Sequence, residues 1–377
     1  MNVQGSEEVQ ANSLKALAIV VAVFFFTTNL SGVFLPIYFR DIGLSLAEIV
    51  LILFVTFIVI GLLPIVLLKI VRNFERIISY GIFFTMLFYI ALIYVKHPVL
   101  LGLAYGLGIA TFWPSFNLLQ FRLGESKVRA RIISLLSVNI PAIAGIVGPA
   151  VGGFVIEVSG FTTLFIVAVA FYLVAFLLSL NMKLESETHS FTIPKERKFK
   201  IFFATFILLG LSESYWVAYP FFVYGVSGTV LYMGFVYALS AIVISMLTFI
   251  VSWVSDIKLA RARFATVGVI LNATWYIALT FVSEMYELVV LSLLSGLGSA
   301  FSLSWFANYG DSFKKEHYAS ILVMMEVGLM IGRFLNLAPT YIFLSVSDYA
   351  SYFALLAIVC LSLIPLYVIS TKISKQS

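Results

Sequence analysis

The sequence has few of the residues from which enzyme active sites and metal centres are built. Its single cysteine, Cys360, lies in an apolar run, and its three histidines, His97, His189 and His317, lie in or beside polar breaks. One cysteine excludes both an intrachain disulfide and a cluster of thiolate metal ligands. The absence of HExxH and GxxxxGK(S/T) motifs argues against a metalloprotease and an ATP-driven pump. We expect no cofactor and no metal.

One short match to an enzyme motif carries little weight. The sequence Gly225-Val226-Ser227-Gly228 fits the GxSG pattern of intramembrane serine proteases. It falls at an expected external turn, and no histidine lies deep in an apolar segment to activate Ser227. We therefore predict that the protein is not an enzyme.

Charge is scarce as well. Charged residues make up 11% of the 377 and hydrophobic residues 62%, against about 25% and about 45–50% in soluble globular proteins. Twelve spans of about 20 residues would use about 240 residues, which leaves no room for a separate enzymatic domain. The net charge of +5 is better explained by basic residues that set the membrane topology than by binding to nucleic acid. We predict an integral membrane protein that contacts lipid and no nucleic acid.

Apolar stretches between polar breaks define twelve expected spans. Their approximate bounds are 14–39, 46–68, 77–95, 98–121, 132–156, 161–182, 201–224, 229–254, 264–283, 286–309, 318–345 and 349–371. In this arrangement 20 of the 23 basic residues share one side of the membrane, Arg40 and Lys96 lie on the other, and Arg333 lies inside a span. Since cytoplasmic loops collect lysine and arginine, we expect both termini to be cytoplasmic in a multi-pass protein of the cell membrane.

A polar segment and a weak internal repeat divide the chain in two. The longest polar segment, 183–200, separates residues 1–182 from residues 201–377, with six expected spans in each. Three residues recur at a displacement of 190 positions: Gly106 as Gly296, Gly108 as Gly298, and Pro149 as Pro339. Pro36 and Pro220 pair at a displacement of 184. We predict two pseudo-symmetric six-helix bundles with a substrate site where they meet.

The fifth span carries a glycine-proline motif. It consists of Gly148, Pro149, Ala150, Val151, Gly152 and Gly153, preceded by Ala144 and Gly145. Glycines four residues apart let another helix approach closely, and proline bends a helix. The motif resembles the GPxxGG signature of the major facilitator superfamily, which is frequent among exchangers that expel a substrate against protons. A packing role alone is the alternative to a role in gating.

A second motif of that superfamily is an acid at a helix end followed by basic residues. Residues 252–256 end in Asp256 and precede Lys258, Arg261 and Arg263, whereas Lys69 stands near the place of the acid in the first half. The resemblance implies that Asp256 and Arg261 change contacts between inward and outward states. The alternative is ordinary positive charge on the cytoplasmic side.

Three ionisable residues lie within the expected spans. Glu213 is in the seventh span, and Glu326 and Arg333 are in the eleventh, seven residues apart on one helix face with Gly328 and Gly332 between them. A charge at the bilayer centre costs at least about 2.5–3.5 kcal/mol, so such residues are usually paired or functional. We predict that the three couple proton movement to transport. A static ion pair between helices is the alternative.

Polar and aromatic residues concentrate in the first, fourth, seventh and tenth spans, which line the cavity in this superfamily. Amides and indoles fix the orientation of a ligand while aromatic rings supply contact area. Interfacial belts are the alternative role for tryptophan and tyrosine. The predicted substrate-binding residues are Asn29, Trp113, Asn117, Glu213, Tyr215, Trp216, Trp305 and Asn308.

The sequence therefore predicts a secondary transporter that resembles the major facilitator superfamily. We expect twelve transmembrane helices in two rocking bundles, a small-molecule substrate, proton coupling and a functional monomer. Efflux by proton exchange is the favoured direction. Uptake of a sugar or organic acid with protons is the first alternative, and a receptor or an intramembrane enzyme is the second.

Overall fold

The computed structural model describes residues 3–71, 73–123, 129–141, 146–182, 189–258 and 261–374, and their regular structure is helical. Arg72, the motif residues Ala144 and Gly145, and residues 183–188 of the expected linker lie outside the described residues. Within the described ranges, ten helices are long and apolar enough to cross a membrane. The prediction of an all-α membrane protein is confirmed.

The helices follow the predicted spans with small shifts at their ends. They are α1 (Val3–Ser31), α2 (Leu35–Asp41), α3 (Leu46–Ile70), α4 (Ile77–Tyr94), α5 (Pro98–Leu123), α6 (Arg129–Ser134), α7 (Gly148–Leu180), α8 (Arg197–Leu211), α9 (Ala218–Ser227), α10 (Val230–Lys258), α11 (Arg261–Leu279), α12 (Met285–Asp311), α13 (Tyr318–Ser345), α14 (Tyr349–Leu361) and α15 (Leu363–Ser374).

Two regions depart from simple spans. The predicted fifth and sixth spans fall on α6, on a π-helical turn at Leu135–Asn139 and on α7. The backbone of α7 turns at Gly160, whose φ of 78° favours glycine. The predicted seventh span is divided between α8 and α9 by the non-helical residues 212–217.

The repeated glycines occupy matching contacts in the two halves. Gly106 of α5 packs against Val59 of α3, and Gly296 of α12 packs against Val243 of α10. Two residues further on, Gly108 lies against α4 and Gly298 lies against α11. A side chain at any of these positions would collide with the neighbouring helix, so glycine permits the close approach.

Four long helices connect the first half of the chain to the second. Helix α3 packs along α13, and α7 packs along α10. Hydroxyl groups inside the spans bond to carbonyl oxygens one turn earlier, as Thr56 Oγ1 does to Ile52 O at 2.8 Å, so polar atoms stay satisfied without water. The helices enclose a cavity between the halves.

Candidate functional site

The cavity has a volume of about 600 Å³ and is lined by both halves of the chain. Helices α1, α4 and α5 supply one wall, and the 212–217 break, α12 and α13 supply another. Six of the eight predicted substrate-binding residues line it, as do Glu326 and Arg333. Those six are Asn29, Trp113, Asn117, Glu213, Tyr215 and Trp216.

The break between α8 and α9 puts Glu213 on the cavity wall. The backbone groups released by the missing helical turn find partners on other helices. Tyr276 donates its hydroxyl to Ser212 O at 2.6 Å, and Asn336 donates its amide to Glu213 O at 2.5 Å. Irregular backbone at membrane depth is tolerated where the surrounding protein satisfies it. The glutamate is therefore held in a short bend, with the Ser212 and Glu213 carbonyl oxygens bonded to other helices.

Glycines bring α8 close to α13 beside this bend. A methyl group at Gly332 would lie 2.0 Å from Ile207 O, and one at Gly210 would lie 2.4 Å from Leu329 O. A methyl group at Gly328 would meet Phe206 at 3.1 Å. Gly328 and Gly332, which lie between Glu326 and Arg333, thus permit the close packing that sets Arg333 directly beside the bend.

Arg333 pairs with Glu213 in a two-pronged geometry. Arg333 Nε donates to Glu213 Oε2 at 2.7 Å, and Nη2 donates to Oε1 at 3.0 Å. The indole of Trp216 donates to Oε2 at 2.5 Å. The guanidinium also lies over the rings of Trp216 and Phe57, at 5.3 and 5.7 Å from their centroids. Such bidentate, charge-assisted bonds are the strong ones, so both charges of this pair are held in place.

Glu326 lies beside the pair without joining it. Its carboxylate is 3.8 Å from Arg333 Nη1, and its side chain is 6% exposed. Within the described ranges, no hydrogen bond to this carboxylate is present. Spacing along α13 suggested Glu326 as the neighbour of Arg333, whereas the bonded partner comes from the α8–α9 break. The described lining thus holds two carboxylates and one guanidinium, and of the two carboxylates only that of Glu213 is hydrogen-bonded to the guanidinium.

Two predicted residues do not lie at the cavity. Trp305 is 2% exposed and stacks on Tyr367 of α15 at 4.0 Å between ring centroids. It also packs against Phe202 of α8 at 4.7 Å. Asn308 follows it on α12 and is absent from the described lining. The ring of Trp305 therefore packs among helices of the second half, whereas Leu303 and Phe306 of the same stretch of α12 line the cavity.

Tyrosines that sequence reasoning missed complete the lining. Tyr89 of α4, Tyr105 of α5, Tyr172 of α7 and Tyr237 of α10 all line the cavity. Tyr172 shares a 3.0 Å hydrogen bond with Thr28 of α1. A hydroxyl on an aromatic ring within an apolar span was the available signal. Tyr89, Tyr172 and Tyr237 lie in the third, sixth and eighth spans, which were not expected to face the cavity, whereas Tyr105 lies in the fourth span, which was.

The glycine-proline motif lies between α1 and α10. A methyl group at Gly152 would lie 1.9 Å from Leu30 O, and one at Gly153 would lie 2.6 Å from Val230 O. Gly148 also backs onto Leu30, and Gly234 of α10 backs onto Pro149 O. The packing part of the prediction therefore agrees with the structure, and the gating role of this motif stays a prediction.

Asp256 joins the two halves at one end of the molecule. Its carboxylate accepts hydrogen bonds from the backbone N–H groups of Ala130 and Arg131 at 3.2 and 3.0 Å. It also accepts from Arg261 Nη2 at 3.0 Å, and Arg261 Nη1 reaches Asp311 at 2.8 Å. Both Asp256 and Arg261 are buried. The acid at the end of α10 thus binds the start of α6 in the other half.

An ionic cluster that sequence reasoning missed lies in the first half. Glu75 is fully buried and pairs with Arg122 and with His189, whose Nε2 lies 2.7 Å from Glu75 Oε1. Lys69, which stands near the expected place of an acid, lies over the ring of Phe191 at 5.3 Å. Here the acid lies within the short helical turn at 74–76 that comes after α3, instead of ending α3.

The chain resembles known membrane proteins in sequence and in fold. The family model of the Major Facilitator Superfamily matches residues 17–200 and 201–376. An uncharacterized protein of Bacillus subtilis, YqgE, is 28% identical over 182 residues, which are 44% of this chain and 41% of that protein. An uncharacterized Geobacillus stearothermophilus protein is 26% identical over 180 residues, 43% of this chain and 80% of that protein.

Solved structures of transporters share the fold. A crystal structure of the Escherichia coli fucose:proton symporter FucP superposes with a TM-score of 0.68 at 14% identity, covering 95% of this chain and 98% of that one. The human organic anion transporter TETRAN superposes with a TM-score of 0.70 at 10% identity, covering 95% and 99%. With two family matches that together span nearly the whole sequence, this chain belongs to the major facilitator superfamily of membrane transporters, which are not enzymes.

Proposed function

We propose that the chain is a proton-coupled antiporter of twelve spans, in which two six-helix bundles, residues 1–182 and 201–377, rock about the central cavity. The matched glycine contacts of α5 and α12 support the duplication. The paired packing of α3 on α13 and of α7 on α10 supports the interface between bundles. The basic residues support cytoplasmic termini. The protein acts as a monomer, with residues 183–200 as its cytoplasmic linker.

The observation that carries this proposal is the unmatched acid in the cavity. Glu213 is committed to Arg333 by two hydrogen bonds, whereas Glu326 has only the 3.8 Å contact with the same guanidinium. Desolvation favours the neutral form of a buried carboxylic acid, and a nearby guanidinium favours the charged form. With these influences opposed, Glu326 can take up and release a proton as the cavity changes its opening.

The three intramembrane charges then have different roles. Glu326 carries the coupling proton. Arg333 and Glu213 form a fixed pair that keeps Glu326 near a positive charge and closes the bend between α8 and α9. Asn29, Trp113, Asn117, Tyr215 and Trp216 contact the substrate, since each borders the same cavity.

Asp256 acts as a latch on the cytoplasmic side. It bonds to the start of α6 across the bundle interface, and Phe121 of α5 packs against Phe306 of α12 at 4.8 Å nearby. Opening the cavity to the cytoplasm separates α6 from α10 and breaks these contacts. Arg261 stays with Asp256 because both belong to the second bundle. Glycines of the 148–153 motif let α7 slide against α1 and α10.

Transport in proteoliposomes tests the proposal. The purified protein is reconstituted with a pH-sensitive dye inside and an imposed proton gradient, and a panel of cations, anions and sugars is added. A substrate that draws protons in the direction opposite to its own movement supports antiport. Movement of both in one direction supports the symport of a sugar or organic acid instead. Glu326→Gln should lose the proton movement and retain exchange of substrate for substrate when the substrate is supplied at saturating concentration. The exposed Glu157 provides a matched control as Glu157→Gln.

A further inference from the structure

We infer that the cavity binds lipophilic organic cations of a single positive charge, with the carboxylate of Glu326 as their counter-ion after its proton has left. This inference rests on the proposed antiport function and adds the class of substrate. It follows from three features of the lining: the balance of charge, the aromatic surface and the state of the polar side chains.

The balance of charge disfavours an anion. Among the described residues that line the cavity, Arg333 is the only basic side chain. Its Nε and Nη2 atoms both donate hydrogen bonds to the carboxylate of Glu213, at 2.7 and 3.0 Å. An anionic substrate would either meet Nη1, which lies 3.8 Å from the carboxylate of Glu326, or displace the carboxylate of Glu213 and leave it buried without a partner, which is costly. An anion would also meet the negative field of Glu326.

The same balance favours one positive charge. With Glu213 and Arg333 neutralising each other, Glu326 contributes a single negative charge when it is ionised. A cation that replaces its proton leaves the total charge of the cavity unchanged. A dication would need a second free acid, and the described lining contains no acid beyond these two.

The walls of the cavity suit a flat or aromatic cation. Rings from both halves face the space, and Tyr215 stacks on Trp216 at 5.4 Å beside the ion pair. Aromatic faces attract cations, and the attraction grows when water is excluded. The arginine already uses the ring of Trp216 in this way. A volume of about 600 Å³ falls within the range of sites for drug-sized molecules.

Several polar side chains of the lining are already hydrogen-bonded within the protein. Thr28 bonds to Phe24 O and Tyr172, and Asn29 donates to Pro141 O at 3.2 Å. Thr85 donates to Gly81 O on its own helix. Their hydrogen-bonding capacity is thus partly consumed by the protein. A ligand with many hydroxyl groups would lose its water partners without equal replacement.

Binding of matched ions by the full-length protein in detergent tests this inference. Tetraphenylphosphonium and tetraphenylborate have nearly the same shape and opposite charge, and ethidium is a flat monocation. We expect saturable binding of tetraphenylphosphonium and ethidium, release of about one proton per bound cation, and affinity that weakens as the pH falls. Tetraphenylborate should show no saturable binding above that of empty micelles.

Variants of Glu326 distinguish its proposed role as counter-ion from a purely structural role. Glu326→Gln should weaken cation binding at least tenfold and abolish its pH dependence, whereas Glu326→Asp should retain both in part. Glu157→Gln should bind like the parent. If Glu326→Gln does not fold, the proton release and the pH dependence of the parent still test the inference.

Several outcomes would overturn the inference. These are tighter binding of tetraphenylborate than of both cations, failure of both cations to bind, and unchanged cation binding in Glu326→Gln. Proton-coupled transport of a sugar or an anion in proteoliposomes would refute the substrate class and leave the coupling intact. Cation binding without any proton-coupled flux would refute the antiport function and leave the substrate class intact.

Discussion

Replacing Glu213 should destabilise the protein far more than replacing Glu326. Glu213→Gln removes the negative charge from a pair whose side chains are 13% and 8% exposed. Arg333 then remains buried with one neutral acceptor and with the carboxylate of Glu326 at 3.8 Å. Removing one member of a buried pair typically costs about 3–5 kcal/mol. The glutamine oxygen still accepts one bond and Glu326 is nearby, so we expect a loss of about 3 kcal/mol in the free energy of unfolding.

Glu326→Gln leaves the two-pronged pair intact. It removes a contact of 3.8 Å that involves no hydrogen bond, and the amide has nearly the same volume as the acid. We expect a cost of about 1 kcal/mol or less, in the range of weak ion pairs. The double variant Glu213→Gln with Arg333→Gln should recover much of the stability lost in Glu213→Gln, because no uncompensated charge would remain at that bond.

Unfolding by denaturant in mixed micelles measures these differences, with binding of tetraphenylphosphonium as the parallel functional readout. The division of roles predicts opposite patterns for the two acids: Glu213→Gln loses stability, and Glu326→Gln loses proton coupling. Equal destabilisation by both single variants, or no recovery in the double variant, would refute the assignment of Glu213 as the fixed partner of Arg333.

Three further predictions concern topology, packing and the cytoplasmic latch. Cysteines introduced at Lys314 and Lys96, in a background without the native cysteine, should react with impermeant reagents from the inside and the outside respectively; external labelling at Lys314 would contradict the twelve-span arrangement. Gly152→Ala should lower the free energy of unfolding by about 1–3 kcal/mol, because its methyl group would lie 1.9 Å from a carbonyl oxygen of α1; a denaturation midpoint equal to that of the parent would contradict this. Asp256→Asn should increase alkylation, from the cytoplasmic side, of a cysteine at Ser137 in the cavity wall; unchanged labelling would argue against a latch.

Periodicity and charge predicted the helices well because both properties are local to a segment. The partner of Arg333 could not be found in that way. Seven-residue spacing along one helix places Glu326 nearby, but Glu213 reaches the arginine through a bend whose backbone bonds come from Tyr276 and Asn336. Those bonds join residues far apart in the sequence, and a count of apolar residues does not register them.

Trp305 shows a second limit. An indole in the tenth span fits a binding pocket as well as it fits the interior of a bundle, and sequence alone does not distinguish the two. The rotation of α12 turns Trp305 toward Tyr367 and Phe202. Asn29, Trp113 and Asn117 were found because their helices do turn those faces toward the cavity.

The three cavity charges, Glu213, Glu326 and Arg333, all belong to the second half of the chain, whereas the first half contributes only neutral side chains to the described lining. The charges of the described lining therefore come from one half of the chain, whereas its shape comes from both. Natural variation or laboratory recombination within residues 1–182 can change the shape of the cavity while the three charged residues stay the same. Under the proposed mechanism, descendants of this protein can therefore come to transport new substrates while they keep the same proton coupling.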